Sequence, residues 1–399
     1  MKAVEYTIEK KVKAITWLLA FYFLLAPLDF LQVVPGESIS KLLVMLPLGA
    51  SIFYIKNMKV RIDRFYILLI LFIMMIIISM FYSYDQSATV QRTISVTLNI
   101  AVILILSMIN YNKYEIKILK RAMVLSGWLT IFLMIIYSHD VYGRLTVVVN
   151  GAYQDPNYLT GFLIFSIVYY IDEFISKKKL TSLIKTTIFL TFVLLTGSRG
   201  GTIAILGSLL FYIFAWMKSK RVKSTSFVVI IGLIFVLGVF FNLIIDILPS
   251  TVAQRYDMSF TVEDGAAGRL AIWKNILYNY KQVSLFHNFF GMGAGTIKHF
   301  AYGHSGHNIW IESLMEIGLV GVTILFAFYF TYILKAYKMG EYVVFACFMG
   351  YMIMTLSMSL YSYKPIWNIL LMIMVLKNNS LDSSGSVSRT TLSPVNSNH

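Results

Sequence analysis

Long apolar runs make up most of this chain, and short basic segments separate them. A helix that crosses a membrane needs about 20 predominantly apolar residues. Of the 399 residues, 58% are hydrophobic and 13% are charged, whereas a soluble domain carries about 25% charged residues. The pattern therefore excludes a soluble globular fold. It predicts an all-α polytopic integral membrane protein with about twelve transmembrane helices.

One predicted pair of spans is joined by a very short turn. The stretch 186–217 contains a single charged residue, Arg199, and it is too long for one transmembrane helix. We therefore predict a hairpin that turns at 196–201, where glycines permit a tight reversal. The full set of predicted spans is 14–33, 39–55, 65–82, 93–109, 122–138, 157–172, 183–198, 200–217, 225–247, 308–334, 342–360 and 363–376.

The distribution of Lys and Arg predicts the orientation of these spans. Most basic residues fall in alternate loops if the N-terminus is cytoplasmic, as the positive-inside rule requires. The net charge of +15 then reflects topology, and no nucleic-acid partner is expected. The prediction is one transmembrane domain, 1–376, with both termini cytoplasmic. It has one long extracytoplasmic loop, 248–307, between spans nine and ten, and a disordered cytoplasmic tail, 377–399.

Two arginines on the predicted outer side are candidates for anion binding. Arg199 lies between Ser198 and Gly200 at the rim of two apolar helices, and ionisable residues at such a depth are candidate functional groups. Its guanidinium can bind a phosphate bidentately, and the alternative is that it snorkels to lipid headgroups. Arg269 begins an amphipathic segment, 268–281, where a helix dipole disfavours a cation. The alternative for that segment is a helix lying on the bilayer surface.

A polar cluster precedes the tenth span. Asn308, Glu312 and Glu316 are spaced by four and share one helix face, with His307 on the turn before. Because its pKa is near neutrality, His307 is the best candidate general base. Asp155 and Asn157 begin the sixth span on the same predicted side, within reach of the same site.

Metal binding and nucleotide binding are disfavoured by spacing. His287, His299, His304 and His307 are close in sequence, but their spacings match no zinc pattern and no cysteine is near them. The run Gly291–Gly295 lacks the strand and the Gly-Lys-Ser/Thr end of a phosphate-binding loop, so we predict a flexible loop. No metal or cofactor is expected.

These motifs, in this order and on one predicted side, resemble those of the O-antigen polymerase and O-antigen ligase family of bacterial envelope glycosyltransferases. The resemblance covers about residues 150–325. It rests on Ser198-Arg199-Gly200, on Gly268-Arg269-Leu270, and on His307-Asn308 followed by the segment 316–321. It implies a multi-pass protein of the bacterial cytoplasmic (inner) membrane whose active site faces the periplasm or the outside.

The resemblance also implies the substrate and the residue roles. The substrate would be an oligosaccharide linked to undecaprenyl pyrophosphate in the membrane lipid. Arg199 and Arg269 would hold the pyrophosphate, and His307 would activate the acceptor hydroxyl. From the positions of the neighbouring polar residues and glycine, we expect substrate binding by Ser198, Gly200, Asn308, Asp155 and Asn157. A substrate-binding role for Glu312 follows from its spacing alone.

We expect a polymerase of repeat units for O-antigen, capsule or exopolysaccharide, with a chain-length regulator as a possible partner. The first alternative is an O-antigen ligase that transfers lipid-linked glycan to lipid A core or another acceptor. The second is a lipid-linked oligosaccharide flippase. A transporter should carry polar residues through its span centres in both halves, whereas here they gather at one end.

Overall fold

The computed structural model describes residues 12–34, 37–58, 63–141, 143–220, 247–257, 259, 263 and 265–387. Most of these residues are helical. The predicted ninth span, 225–247, lies outside the described residues except for its last position. Residues 388–399 of the predicted tail also lie outside them.

The protein is a bundle of apolar helices with shorter elements at one end. The long helices are α1 (Ala14–Leu25), α2 (Ile39–Ser51), α3 (Arg64–Ile78), α4 (Gln86–Leu106), α5 (Lys113–Ile136), α6 (Pro156–Lys177), α7 (Leu180–Leu195) and α8 (Arg199–Lys220). After the gap come α9 (Ser250–Ala253), α10 (Arg269–Gln282), α11 (Leu285–Phe290), α12 (Ile309–Lys338), α13 (Tyr342–Met354) and α14 (Lys364–Val387). Short 3-10 turns extend several of them, including Gln254–Tyr256 and Thr296–Phe300.

Each predicted span in the described part of the chain coincides with a helix. Seven of the described helices are long and apolar enough to cross a membrane, and three shorter apolar helices accompany them. This confirms a polytopic, mostly helical membrane protein. The number of spans and their orientation stay predictions.

Small residues let helices α8 and α13 pack closely. A Cβ atom added to Gly350 would lie 1.9 Å from Ser208 Oγ, and one added to Gly207 would lie 2.1 Å from Ile353 Cδ1. Close backbone approach of this kind is how helices associate in lipid, where hydrophobic burial between helices gives little drive. The contact fixes the α7–α8 hairpin against α13.

The all-α prediction missed two small antiparallel sheets. Strands β1 (Gln32–Val34) and β2 (Glu37–Ser38) form a hairpin after α1. Strands β3 (Ser138–Val141), β4 (Arg144–Val149) and β5 (Ala152–Gln154) form a three-stranded meander between α5 and α6. Val147 of β4 is fully buried against Leu133 and Leu159, so this sheet packs on the bundle and fixes the start of α6.

Helix α12 is broken at Gly318, whose backbone has φ 67° and ψ −173°. The break frees the carbonyls of Met315 and Glu316. These accept hydrogen bonds from the backbone N–H groups of Met292 and Gly293, both at 2.9 Å. The expectation that the run Gly291–Gly295 is a flexible loop is therefore wrong, because this segment packs against the broken helix.

The predicted amphipathic helix is present as α10. Ile276 on its inner face is buried in a cluster with Ile297, Ala301 and Met315, whereas Leu277 is 39% exposed. The protein itself covers the buried face, and this disfavours the alternative in which only the bilayer surface holds the helix.

The predicted boundary of the tail is wrong. Helix α14 runs to Val387, and Lys377, the first residue of the predicted tail, is buried and paired with Asp63. The ion pair fastens α14 to the N-terminus of α3, where Asp63 also caps the helix by accepting from Phe65 N at 3.0 Å. Disorder of residues 388–399 stays a prediction.

Candidate active site

The candidate residues lie in four places. These are the turn between α7 and α8, the starts of α6 and α12, and helix α10 within the long loop. The turn itself uses Gly197, with φ 57°, so the predicted hairpin is confirmed. Ser198 precedes the first residue of α8, and its buried hydroxyl donates to Asn157 Oδ1 at 2.8 Å. It also accepts from Gly201 N at 3.1 Å. Ser198 thereby joins the start of α8 to the start of α6.

Three arginines converge on this turn. Arg144 Nε donates to Thr196 O at 3.0 Å, and Arg255 Nε donates to Gly197 O at 3.1 Å. Arg199 Nε donates to the carbonyl of Arg255. We call Arg144, Arg199 and Arg255 the arginine cluster. Three guanidinium groups thus lie together at the α7–α8 turn.

The positive charges of the arginine cluster act on the pKa of Tyr256. Its hydroxyl donates to Leu194 O at 3.1 Å. Burial raises the pKa of Tyr256 to about 12, and the positive charges of Arg144, Arg255 and Arg199 oppose this rise. All three guanidinium groups therefore act on one half-buried group beside the α7–α8 turn.

The start of α6 lies beside the arginine cluster. Asp155 caps the helix by accepting from Asn157 N at 2.7 Å, as the Asp-Pro-Asn sequence predicts. Asn157 Oδ1 accepts from Arg144 at 3.1 Å as well as from Ser198. Asp155 and Asn157 thus belong to the same polar network as Arg199.

His307 lies near Arg269 and Asp155. Its backbone has φ 49°, a left-handed conformation that is uncommon outside glycine. Burial lowers the pKa of His307, the positive charge of Arg269 lowers it further, and Asp155 opposes both. In the described part of the protein no hydrogen bond joins its ring nitrogens. A neutral imidazole with a nitrogen available to accept a proton is the state that a general base requires.

Two predicted ligand residues have structural partners. Asn308 caps α12 by accepting from Trp310 N at 3.0 Å and Ile311 N at 3.2 Å. Glu312 is fully buried and accepts from Arg92 at 3.3 Å and from Ser359. Contact of either side chain with substrate stays a prediction.

The glycines of the hairpin do not open a space for a ligand. A Cβ atom on Gly200 would lie 2.3 Å from Ser357 Oγ, and one on Gly201 would lie 2.1 Å from Thr160 Oγ1. Both positions are filled by packing between helices. Their lack of a side chain therefore serves close packing of α8 against α6 and against the connection between α13 and α14.

The four clustered histidines do not share one centre. His287 Nδ1 is 2.9 Å from Ser284 Oγ, and His299 Nε2 is 2.9 Å from Asp85 Oδ2. Within the described ranges, no group of three or more His, Cys, Asp or Glu side chains is arranged to hold a metal ion.

Sequence reasoning missed four residues of this region. Arg144 and Arg255 lie singly in predicted loops, and no pattern marks them. Arg92 lies inside α4, just before the predicted start of the fourth span. Trp273 belongs to the amphipathic segment 268–281, and its hydrogen bond to Gly306 O at 2.9 Å has no signature in the sequence.

Comparison with known proteins supports the family resemblance. Residues 186–326 match the family model described as O-antigen ligase, which confirms the resemblance to the O-antigen polymerase and ligase family. The matched region contains Arg199, Arg255, Arg269 and His307. No curated protein matches the chain. The protein is therefore a multi-pass membrane protein that contains a region similar to O-antigen ligases.

Proposed function

We propose that this protein is a glycosyltransferase that polymerises oligosaccharide repeat units linked to undecaprenyl pyrophosphate, on the outer face of the bacterial cytoplasmic membrane. The product would be O-antigen, capsule or exopolysaccharide. One observation carries the proposal: within a region that matches O-antigen ligases, the imidazole of His307 lies in the field of Arg269 and Asp155.

His307 and the arginines have different roles in the proposed reaction. The acceptor hydroxyl loses its proton to His307 as its oxygen bonds to the anomeric carbon of the donor sugar. The bond from that carbon to the pyrophosphate oxygen breaks, and undecaprenyl pyrophosphate leaves with the electron pair. Negative charge grows on the leaving group, and preorganised cations stabilise such charge strongly where water is excluded.

The arginine cluster and Arg269 are the proposed binding groups for the pyrophosphate. Guanidinium groups bind phosphate oxygens bidentately and keep their charge at all working pH values. Arg144 and Arg255 join Arg199 in this role because all three lie at the same turn. Asp155 and Asn157 hold Arg144 and the start of α6 in place.

A ligase is the second candidate, because the matching family model is described as O-antigen ligase. It would transfer the lipid-linked glycan to lipid A core or another acceptor with the same donor groups. We favour the polymerase because the start of α10, 268–273, followed by the glycine segment 291–295, resembles the polymerase branch of the family.

The proposal includes an orientation. Both termini would be cytoplasmic, about twelve helices would cross the membrane, and the loop 248–307 would be extracytoplasmic. Substrate would reach the site within the membrane, and a chain-length regulator would be a partner.

A gel profile of surface polysaccharide tests the proposal. In a deletion strain complemented with the wild-type gene, we expect a ladder of chain lengths. Complementation with His307→Ala or Arg199→Ala should give single repeat units on the final acceptor. His139→Ala, an exposed histidine on β3, is the matched control and should give the wild-type ladder.

Two other outcomes have definite meanings. Loss of all attached glycan, with accumulation of long lipid-linked chains, would favour the ligase. A normal ladder from both His307→Ala and Arg199→Ala would contradict either enzyme.

A further inference from the structure

Two distant side chains hold the chain at Gly306. Trp273 Nε1 on α10 donates to Gly306 O at 2.9 Å. The carboxylate of Glu312 on α12 lies beside the backbone N–H of Gly306. A Cβ atom at position 306 would lie 3.1 Å from Glu312 Oε2 and 3.2 Å from Glu312 Cβ. The chain is therefore fixed on both sides immediately before His307.

Glu312 is itself anchored. Its carboxylate accepts from Arg92 of α4 at 3.3 Å and from Ser359. Ser359 Oγ is in turn 2.9 Å from Ser305 Oγ, which accepts from His307 N at 3.4 Å. The segment before His307 is thus tied to α4, to α12 and to the connection between α13 and α14. Trp273 is the link that ties it to α10.

His307 needs such support because its backbone is strained. Its φ of 49° lies in the left-handed region, which is unfavourable for a non-glycine residue and persists only when its surroundings impose it. The carbonyl that Trp273 holds belongs to the peptide bond between Gly306 and His307. Its orientation therefore bears directly on the φ of His307.

Trp273 and Arg269 lie four residues apart on α10, which places their side chains on the same helix face. The charge of Arg269 acts on the imidazole of His307. One helix therefore carries both a group assigned to the donor pyrophosphate and the indole that holds the backbone of the general base.

We propose that Trp273 is a positioning residue of the glycosyl transfer. Its indole N–H, bonded to the Gly306 carbonyl, sets the imidazole of His307 relative to Arg269. This inference rests on the proposed function, and it assigns no substrate contact to Trp273.

Trp273→Phe tests this role, because phenylalanine keeps an aromatic ring and removes the N–H donor together with the smaller ring of the indole. We expect kcat for chain extension to fall by about tenfold or more, since small misplacements of reacting groups cost up to about 100-fold. The substrates are lipid-linked repeat units extracted from the deletion strain. Affinity for undecaprenyl pyrophosphate alone should be unchanged. Trp128→Phe, which removes an indole bond to Tyr170 in the bundle, is the matched control and should retain wild-type kcat.

A double-mutant cycle separates positioning from general damage. His307→Ala should recover part of its activity with added imidazole, which replaces the missing base. If Trp273 acts only through His307, then Trp273→Phe has no further effect on this rescued rate, because coupled residues are not additive.

Three results would overturn the inference. The first is an equal loss of rate from Trp273→Phe in the wild-type protein and in rescued His307→Ala. The others are weaker binding of undecaprenyl pyrophosphate by Trp273→Phe and a wild-type kcat in that variant. Failure of the proposed function looks different. In that case the wild-type protein would not extend chains, or His307→Ala would extend them at the wild-type rate without imidazole.

Discussion

The chemistry of His307 depends on its neighbours. Burial and Arg269 lower the pKa of its imidazole, and the charge of Asp155 opposes them. The proposed base is therefore neutral over most of the physiological range, with a pKa below the ordinary value of about 6.5. Activity should fall on the acid side as the imidazole takes up a proton.

Asp155→Asn should move this acid limb to lower pH. The carboxylate stabilises the imidazolium form, so its removal lowers the pKa of His307 further. Asparagine still caps α6, so the fold should be kept. The measurement is the pH profile of kcat/KM for chain extension, which reports the free enzyme.

Asp140→Asn is the control for this profile, since Asp140 bonds Gly143 N in the β3–β4 turn at 2.6 Å. It should leave the limb in place. An acid limb that stays fixed or moves to higher pH in Asp155→Asn would show that His307 is not the titrating base.

The sequence predicted those site residues whose type is unusual for their position in a helix or between helices. Arg199 stands out as a charge between apolar helices, and Arg269 as a cation at a helix start. The roles of Arg144 and Arg255 could not be predicted, because only the folded chain brings a strand, a turn and a loop together. The same holds for Glu312, whose partner Arg92 lies on another helix.

At the scale of elements, the α7–α8 hairpin is the unit that presents the arginine cluster. The turn at Gly197 leaves the carbonyls of Thr196 and Gly197 exposed to side chains, and Arg144 and Arg255 bind them. Strand β4 brings Arg144 to this turn, so the small sheet positions a proposed binding residue. The hydropathy pattern did not predict this sheet.

Arg144→Gln should weaken binding of undecaprenyl pyrophosphate by about tenfold. A hydrogen bond to a charged group contributes about 1.5 to 3 kcal/mol, and 1.4 kcal/mol corresponds to a factor of ten in affinity. The measurement is a titration of purified, detergent-solubilised protein with undecaprenyl pyrophosphate.

Arg121→Gln, an arginine exposed on α5, is the matched control and should bind as the wild type does. Equal affinity of Arg144→Gln and wild type would remove Arg144 from the binding site.

Helix positions were predictable because apolar runs fix them, but the breaks within helices were not. Gly318 lies in an apolar run that continues on both sides, and a glycine is tolerated in a straight helix. Its positive φ follows from the loop at 289–293, whose backbone packs against the break. Such a contact between distant segments leaves no periodic signal.

At the scale of the whole molecule, the orientation in the membrane is the main untested expectation. Its one cysteine, Cys347, is buried, so a Cys347→Ala background suits single reporters. Tyr278→Cys on α10, where Tyr278 is 64% exposed, should react with a membrane-impermeant maleimide on intact spheroplasts. Lys179→Cys, at the α6–α7 turn, should react only after lysis. The opposite pattern would contradict the orientation and the outward site.

The most direct test of the central claim is chain extension by the purified protein. Reconstituted in liposomes with extracted lipid-linked repeat units, the wild-type protein should form longer lipid-linked chains. It should release one undecaprenyl pyrophosphate for each bond formed, and Arg199→Ala and His307→Ala should do neither. Chain growth at the wild-type rate in both variants, or no growth with the wild-type protein, would contradict the account.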